Sequence, residues 1–179
     1  MKRYIAFLRG INVSGKNKIP MAELKRGVEG LGFSEVKTFL NSGNVVFSSG
    51  LEQETALSGR IEAMIQDIFH LEIPVLVVPK EALEDLLRSA PSWWGGGDKA
   101  VYDNLIFVLP PATVSDVFRE LGEPKEGLEK AMGCGDAIFW SFSRANYQKT
   151  NWWSKTAGAG IGKKLTIRTA NTVQKLVGM

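Results

Sequence analysis

Hydrophobic positions along this chain fall into short unbroken runs and longer stretches of helical spacing, and the two alternate. Tyr4 to Leu8 is a continuous apolar run of strand length. Met21, Leu24, Val28 and Leu31 then recur on one helical face, with Pro20 suited to the first turn and Gly32 to the stop. Val36 to Leu40 predicts a second strand and Val45 to Ser48 a third. Between them Asn41-Ser42-Gly43-Asn44 reads as a hairpin turn, rich in residues that tolerate positive φ. Gln53 to Phe69 predicts a helix with Leu57, Ile61, Met64, Ile65 and Ile68 facing inward, and Ile73 to Val78 a fourth strand. The order is β-α-β-β-α-β, the split βαβ pattern of a ferredoxin-like sheet.

The second half repeats this order more loosely. Lys80 to Ser89 predicts a helix with Leu83, Leu86 and Leu87 on its apolar face, followed by a loop through Trp93-Trp94-Gly95-Gly96-Gly97-Asp98. Leu105 to Leu109 is a strong strand. Thr113 and Asp116 form a capping box for a helix to Leu121. Gly127 to Ala131 and Ala137 to Phe142 read as a strand pair. Lys164 to Arg168 is the last strand, and Thr169 caps a helix with Val173, Leu176 and Val177 inward. The expected class is therefore α+β: two side-by-side subdomains resembling ferredoxin-like folds, 1–79 and 80–179, with the boundary in the stretch 74–101. No repeat is visible in the residues themselves.

Composition narrows the function classes. A chain of 179 residues with 44% hydrophobic content builds a core without disulfides or metal. The longest apolar run is far too short to span a bilayer. Met1-Lys2-Arg3 and the run after it resemble a signal peptide only faintly, because Arg9 ends the run early, so a cytoplasmic location is expected. One cysteine, Cys134, and one histidine, His70, fall short of the four ligands of a structural zinc site, so no metal or other cofactor is expected. His70 suits the end of a helix and Cys134 a glycine-flanked turn. Charge is distributed unevenly: residues 1–50 carry net +5, 51–130 net −8 and 131–179 net +6. Two basic ends brought together would form a face for phosphates or polyanions.

The segment Arg9-Gly10-Ile11-Asn12-Val13-Ser14-Gly15-Lys16-Asn17-Lys18 concentrates candidate chemistry. Gly10 and Gly15 let the backbone turn, and inward N–H groups beside Lys16 and Lys18 suit an anion. The segment is one residue from the phosphate-loop pattern G-x-x-x-x-G-K-[ST]. Asn17 replaces the magnesium-binding hydroxyl, and no strand ends in the partner carboxylate, so nucleotide hydrolysis is set aside. Antiparallel pairing of the first and third strands would bring Ser42 and Asn44 toward Arg9 and Gly10. The competing account is a connection that needs its glycines only to turn.

The late segment interleaves cations with aromatics: Arg144, Tyr147, Lys149, Thr150, Asn151, Trp152, Trp153 and Lys155, then Lys163, Lys164, Arg168, Asn171 and Lys175. Aromatic faces stack on unpaired bases while cations hold the backbone. Adjacent tryptophans also read as one buried anchor and one surface residue. Ala157 to Gly162 reads as a lid or a linker. For catalysis the loop 9–18 offers no carboxylate, histidine or cysteine, and Tyr147 and Lys149 are the available proton carriers.

Leu8-Arg9-Gly10-Ile11-Asn12-Val13 with Gly15 and Asn17-Lys18, Ser42-Gly43-Asn44, Tyr147-Gln148-Lys149-Thr150 and Thr166 to Lys175 together resemble the bacterial family known as domain of unknown function 1697. The resemblance implies two α+β subdomains and brings no established activity or catalytic residue. Its characteristic segments coincide with the two basic ends. The expected function is binding of a phosphate-bearing ligand in a basic cleft, extending to single-stranded nucleic acid. Arg9, Lys16, Lys18, Arg168 and Lys175 would supply charge, and Asn12, Asn17, Asn44 and Asn171 directional hydrogen bonds. Two alternatives stand beside it: an enzyme acting on a small phosphorylated or carboxylated metabolite, and an interaction module without a small ligand.

Overall fold

Pro20, with φ −62° and ψ 128°, sets the chain direction into a helix that turns Leu24 and Val28 inward, and Gly32 at φ +86° ends it. The computed structural model describes residues 1–50, 53–158 and 160–179. Contacts divide the chain into two units, Met1–Asp85 with Leu176–Met179, and Leu86–Lys175.

The first unit runs β1 (Lys2–Leu8), α1 (Met21–Gly30), β2 (Ser34–Phe39), β3 (Asn44–Ser49), α2 (Glu54–Phe69), β4 (Val75–Pro79) and α3 (Lys80–Arg88), the last crossing the division. Its sheet has the order β2-β3-β1-β4, and every neighbouring pair is antiparallel. Tyr4, Ala6 and Leu8 alternate toward α1 and α2 and join Leu24, Val28, Leu57, Ile61 and Ile65 in one core. Ile5, Phe7 and Val46, on the opposite face, are equally buried. This double burial explains the unbroken apolar run of β1.

The second unit runs β5 (Val101–Val108), α4 (Val114–Leu121), β6 (Glu129–Cys134), β7 (Ala137–Ser143), a 3₁₀ turn (Tyr147–Lys149), α5 (Trp153–Gly158), a second 3₁₀ turn (Gly160–Lys164), β8 (Leu165–Thr169) and α6 (Ala170–Val177), whose end again crosses the division. Its sheet order, β6-β7-β5-β8, matches the first sheet strand for strand. The capping box is formed: Thr113 Oγ1 accepts from the Asp116 N–H, and the Asp116 carboxylate accepts from the Thr113 N–H. Those hydrogen bonds hold the Asp116 carboxyl below its ordinary pKa. All five tryptophans of the chain fall in this unit.

Several details differ from the pattern-based expectations, among them the fifth strand, which starts at Val101, four residues before the predicted run 105–109, because its first half is polar. Ile68 is 49% exposed, because it leans on Gly27 at the rim of the α1–α2 groove instead of reaching the sheet. Leu86 and Leu87 are half-buried, and only Leu83 of α3 is fully enclosed. The sixth strand starts at Glu129, two residues late, because Gly127 at φ +79° sits in a turn closed by Leu128 and Glu129 N–H bonds to the Lys125 carbonyl. Finally, Ala157 to Gly162 holds helix and 3₁₀ turn with Ile161 buried, its N–H donating to Glu120 Oε1 at 3.0 Å; Ala159 lies outside the described residues. Among the described residues no helix is long and apolar enough to cross a membrane.

Candidate functional site

The loop after β1 is a small hairpin in its own right. Val13 and Lys16 form a β-bridge, and the Lys16 N–H donates to the Val13 carbonyl at 2.9 Å. Ser14 and Gly15 between them both have positive φ, 50° and 74°, as a two-residue hairpin turn requires. Asn12 and Asn17, also at positive φ, flank the bridge, and the Asn12 N–H donates to the Asn17 carbonyl at 3.1 Å. Asparagine is among the few side chains that adopt this backbone at low cost.

Both asparagine side chains hold the loop in place. Asn12 Oδ1 accepts from the Ile19 N–H at 2.8 Å, while its Nδ2 donates to the carbonyls of Ile19 (3.0 Å) and Asn41 (2.9 Å). Asn17 Nδ2 donates to the Gly10 carbonyl at 2.8 Å. Ile11 and Ile19 are buried on either side, so the hairpin is anchored at its base. An Asn12→Ala variant is expected to lose about 2 kcal/mol of stability, since three hydrogen bonds go and the Ile19 and Asn41 groups lose a partner. Thermal denaturation together with proteolysis at 13–17 checks this.

The turn before β3 meets the loop, as antiparallel pairing requires. The contacts run through Asn41 to Asn12 and through the Gly43 carbonyl, which accepts from the Leu8 N–H at 2.8 Å. Gly43 sits at φ +88°, where a Cβ would stand 2.7 Å from the Leu8 Cβ. Asn44 is fully buried opposite Phe7, and its Nδ2 donates to the Phe39 carbonyl and to Ser42 Oγ. Ser42 and Asn44 thus shape the turn that supports the loop. Gly15, Lys16, Asn17 and Lys18 are exposed and Arg9 is half-buried. A shallow pocket of about 370 Å³ opens beside them, lined by Asn12, Gly15, Lys18 and Asn41 among others.

The remaining candidates belong to the second unit. Arg168 on β8 is buried, and its Nη1 donates to Thr166 Oγ1 and to the Ile167 carbonyl, both at 3.0 Å. Burial lowers its pKa to about 10. Tyr147 and Lys149 share one 3₁₀ turn, and Tyr147 packs edge-to-face on Trp153 at 4.7 Å. Asn171 stands in the first turn of α6, on a pocket it shares with Arg144 and Thr169. Lys175 is exposed in the last turn.

Two residues organise this region: Glu129, absent from the sequence-based candidates, and Asn151, which lies in the late cation–aromatic segment. Glu129 is 6% exposed, and its carboxylate accepts from Trp140 Nε1 (3.2 Å), the Trp152 N–H (3.2 Å) and the Asn151 N–H. Asn151 Nδ2 donates to the carbonyls of Leu121 and Glu123. The sequence cue for Glu129 was an acid in the middle of the strand predicted over Gly127 to Ala131. Of the adjacent tryptophans, Trp152 is the anchor at 0% exposure and Trp153 the surface residue at 41%. Among the described residues no cluster of three or more His, Cys, Asp or Glu is placed to hold a metal ion.

Two ferredoxin-like sheets in succession, the first carrying a basic hairpin after its opening strand, define a duplicated α+β protein. The chain belongs to the family described as protein of unknown function (DUF1697), whose model matches residues 1–139. The solved structure of the conserved bacterial protein SP0830 from Streptococcus pneumoniae is similar throughout. It is 28% identical, with a TM-score of 0.85, and the match covers 99% of this chain and 97% of that one. No curated protein matches this chain.

Proposed function

We propose that this protein is a cytoplasmic binding protein for a phosphate-bearing anion, with the hairpin 9–18 as its principal contact and single-stranded nucleic acid within its range. The observation that carries the reading is the state of Lys16 and Lys18. Both are exposed on a loop fastened by Asn12 and Asn17, and among the described residues neither makes an ion pair. A rigid loop with uncompensated cations attracts phosphate at little cost in ordering. The segment 9–18 contains no acid to oppose it. A second support is the stretch Ala137 to Met179, which holds seven Lys/Arg and no acidic residue.

The test is fluorescence anisotropy of a labelled, mixed-sequence single-stranded RNA at several salt concentrations. Micromolar binding that weakens steeply with salt is expected. A Lys16→Ala/Lys18→Ala variant should reduce the log–log salt slope by about 1.4, at about 0.7 per phosphate contact on a single strand. Absence of binding at low salt, with no thermal stabilisation by inorganic phosphate, refutes the anion reading.

A further inference from the structure

We infer that Trp153, braced by Tyr147, is a stacking platform for an unpaired base of single-stranded nucleic acid. The inference rests on the polyanion reading above and adds a distinct contact to it, located within the second unit.

Three observations carry it. First, Trp153 is 41% exposed on a backbone fastened at both its N–H and its carbonyl. The Thr150 hydroxyl donates to the Tyr147 carbonyl at 2.6 Å and accepts from the Trp153 N–H at 3.4 Å, while Thr156 Oγ1 donates to the Trp153 carbonyl at 2.9 Å. The preceding residue, Trp152, is buried and tied through Nε1 to the Gly122 carbonyl at 2.8 Å. Tyr147 meets Trp153 at an interplanar angle of 70°, which fixes the indole plane without hiding it. Such a ring binds a flat partner with little loss of side-chain freedom.

Second, a cation belongs to the element that braces the ring. Lys149 shares the 3₁₀ turn of Tyr147, is exposed, and makes no ion pair among the described residues. Third, Trp153 is not the centre of an apolar patch. Among the described residues of this unit the other exposed large hydrophobic is Tyr102, and the Arg144 guanidinium covers its ring at 4.0 Å. A protein partner calls for a contiguous apolar surface. An exposed indole beside an uncompensated cation matches the alternation of base and phosphate along a single strand.

The test compares a labelled twelve-residue oligothymidylate with an abasic strand of the same length and charge. Trp153→Ala should weaken binding of the oligothymidylate about tenfold, leave the salt slope unchanged and leave the abasic strand unaffected. Trp153→Phe should restore most of the loss, and circular dichroism should show both variants folded. Lys149→Ala should lower the salt slope on both strands. If Trp153→Ala binds the oligothymidylate as tightly as the parent while Lys16→Ala/Lys18→Ala weakens it, the platform is refuted and the hairpin reading stands. If the parent binds neither strand at low salt, the platform is refuted, and the hairpin reading then stands or falls on thermal stabilisation by inorganic phosphate.

Discussion

Trp152→Ala is expected to cost about 4 kcal/mol of stability, within the range of fully buried aromatic truncations. The indole is 0% exposed and packs against Phe118 at 5.0 Å, edge to face, and Trp140 at 6.1 Å. These rings lie in one core with Ile106, Val117, Leu121 and Ile138, so the cavity left behind has rigid walls. Truncation also leaves the Gly122 carbonyl without the Nε1–H that now satisfies it. Trp152→Phe should lose less, because part of the volume survives and only the hydrogen bond is gone. Urea titration followed by far-UV circular dichroism measures both. A Trp152→Ala loss below about 1 kcal/mol would mean that α4 and the following turn collapse onto the vacancy.

Glu129→Ala is expected to cost about 3 kcal/mol by a different route. Glu129 contributes little to packing, but its carboxylate is the common acceptor for three N–H groups from Trp140, Asn151 and Trp152. Removing it strands buried donors, each worth about 1 kcal/mol or more when unsatisfied. Glu129→Gln should lie between the parent and the alanine variant, since one oxygen remains while the amide presents hydrogens to donors. Amide hydrogen exchange supplies the local readout, with Asn151 and Trp152 losing protection before the strand amides of β7. The Glu129 and Trp152 effects should not add, because the Trp152 N–H belongs to both. A Glu129→Ala variant with parental stability and exchange would remove Glu129 from this role.

The two sheets were legible from the chain because their strands carry what strands require: apolar runs bounded by glycine, proline or asparagine. Tyr4 to Leu8 and the buried half of β5, Leu105 to Val108, could be placed in this way, whereas Val101 to Asn104 could not, and the Thr113–Asp116 box fixed the start of α4. The equal strand order of the two units was less visible, because the second unit builds its return to β8 differently. Where the first uses the sixteen-residue helix α2, the second uses a six-residue helix and two 3₁₀ turns, with Glu129 fastening the link into the helix and Glu120 the second turn. The partners of Glu129 lie 11 to 23 residues away in sequence, beyond the reach of any local period.

At the candidate site, the concentration of cations and glycines marked the loop 9–18. Its inner hairpin was hidden, because Ser14 adopts a positive φ that its side chain does not advertise. Asn12 shows why residue type alone is a weak guide to role. Its amide suits a ligand, yet within the fold it bonds to Ile19 and Asn41.

The confinement of Trp93, Trp94, Trp140, Trp152 and Trp153 to Leu86–Lys175 has a spectroscopic consequence. Intrinsic emission excited at the red edge of indole absorption reports on one copy of the duplicated fold and is blind to the other. Far-UV ellipticity registers the backbone of both. Superimposable transitions from the two signals mean that the copies melt as a single cooperative body, whereas displaced midpoints give each copy its own stability without any label or truncation.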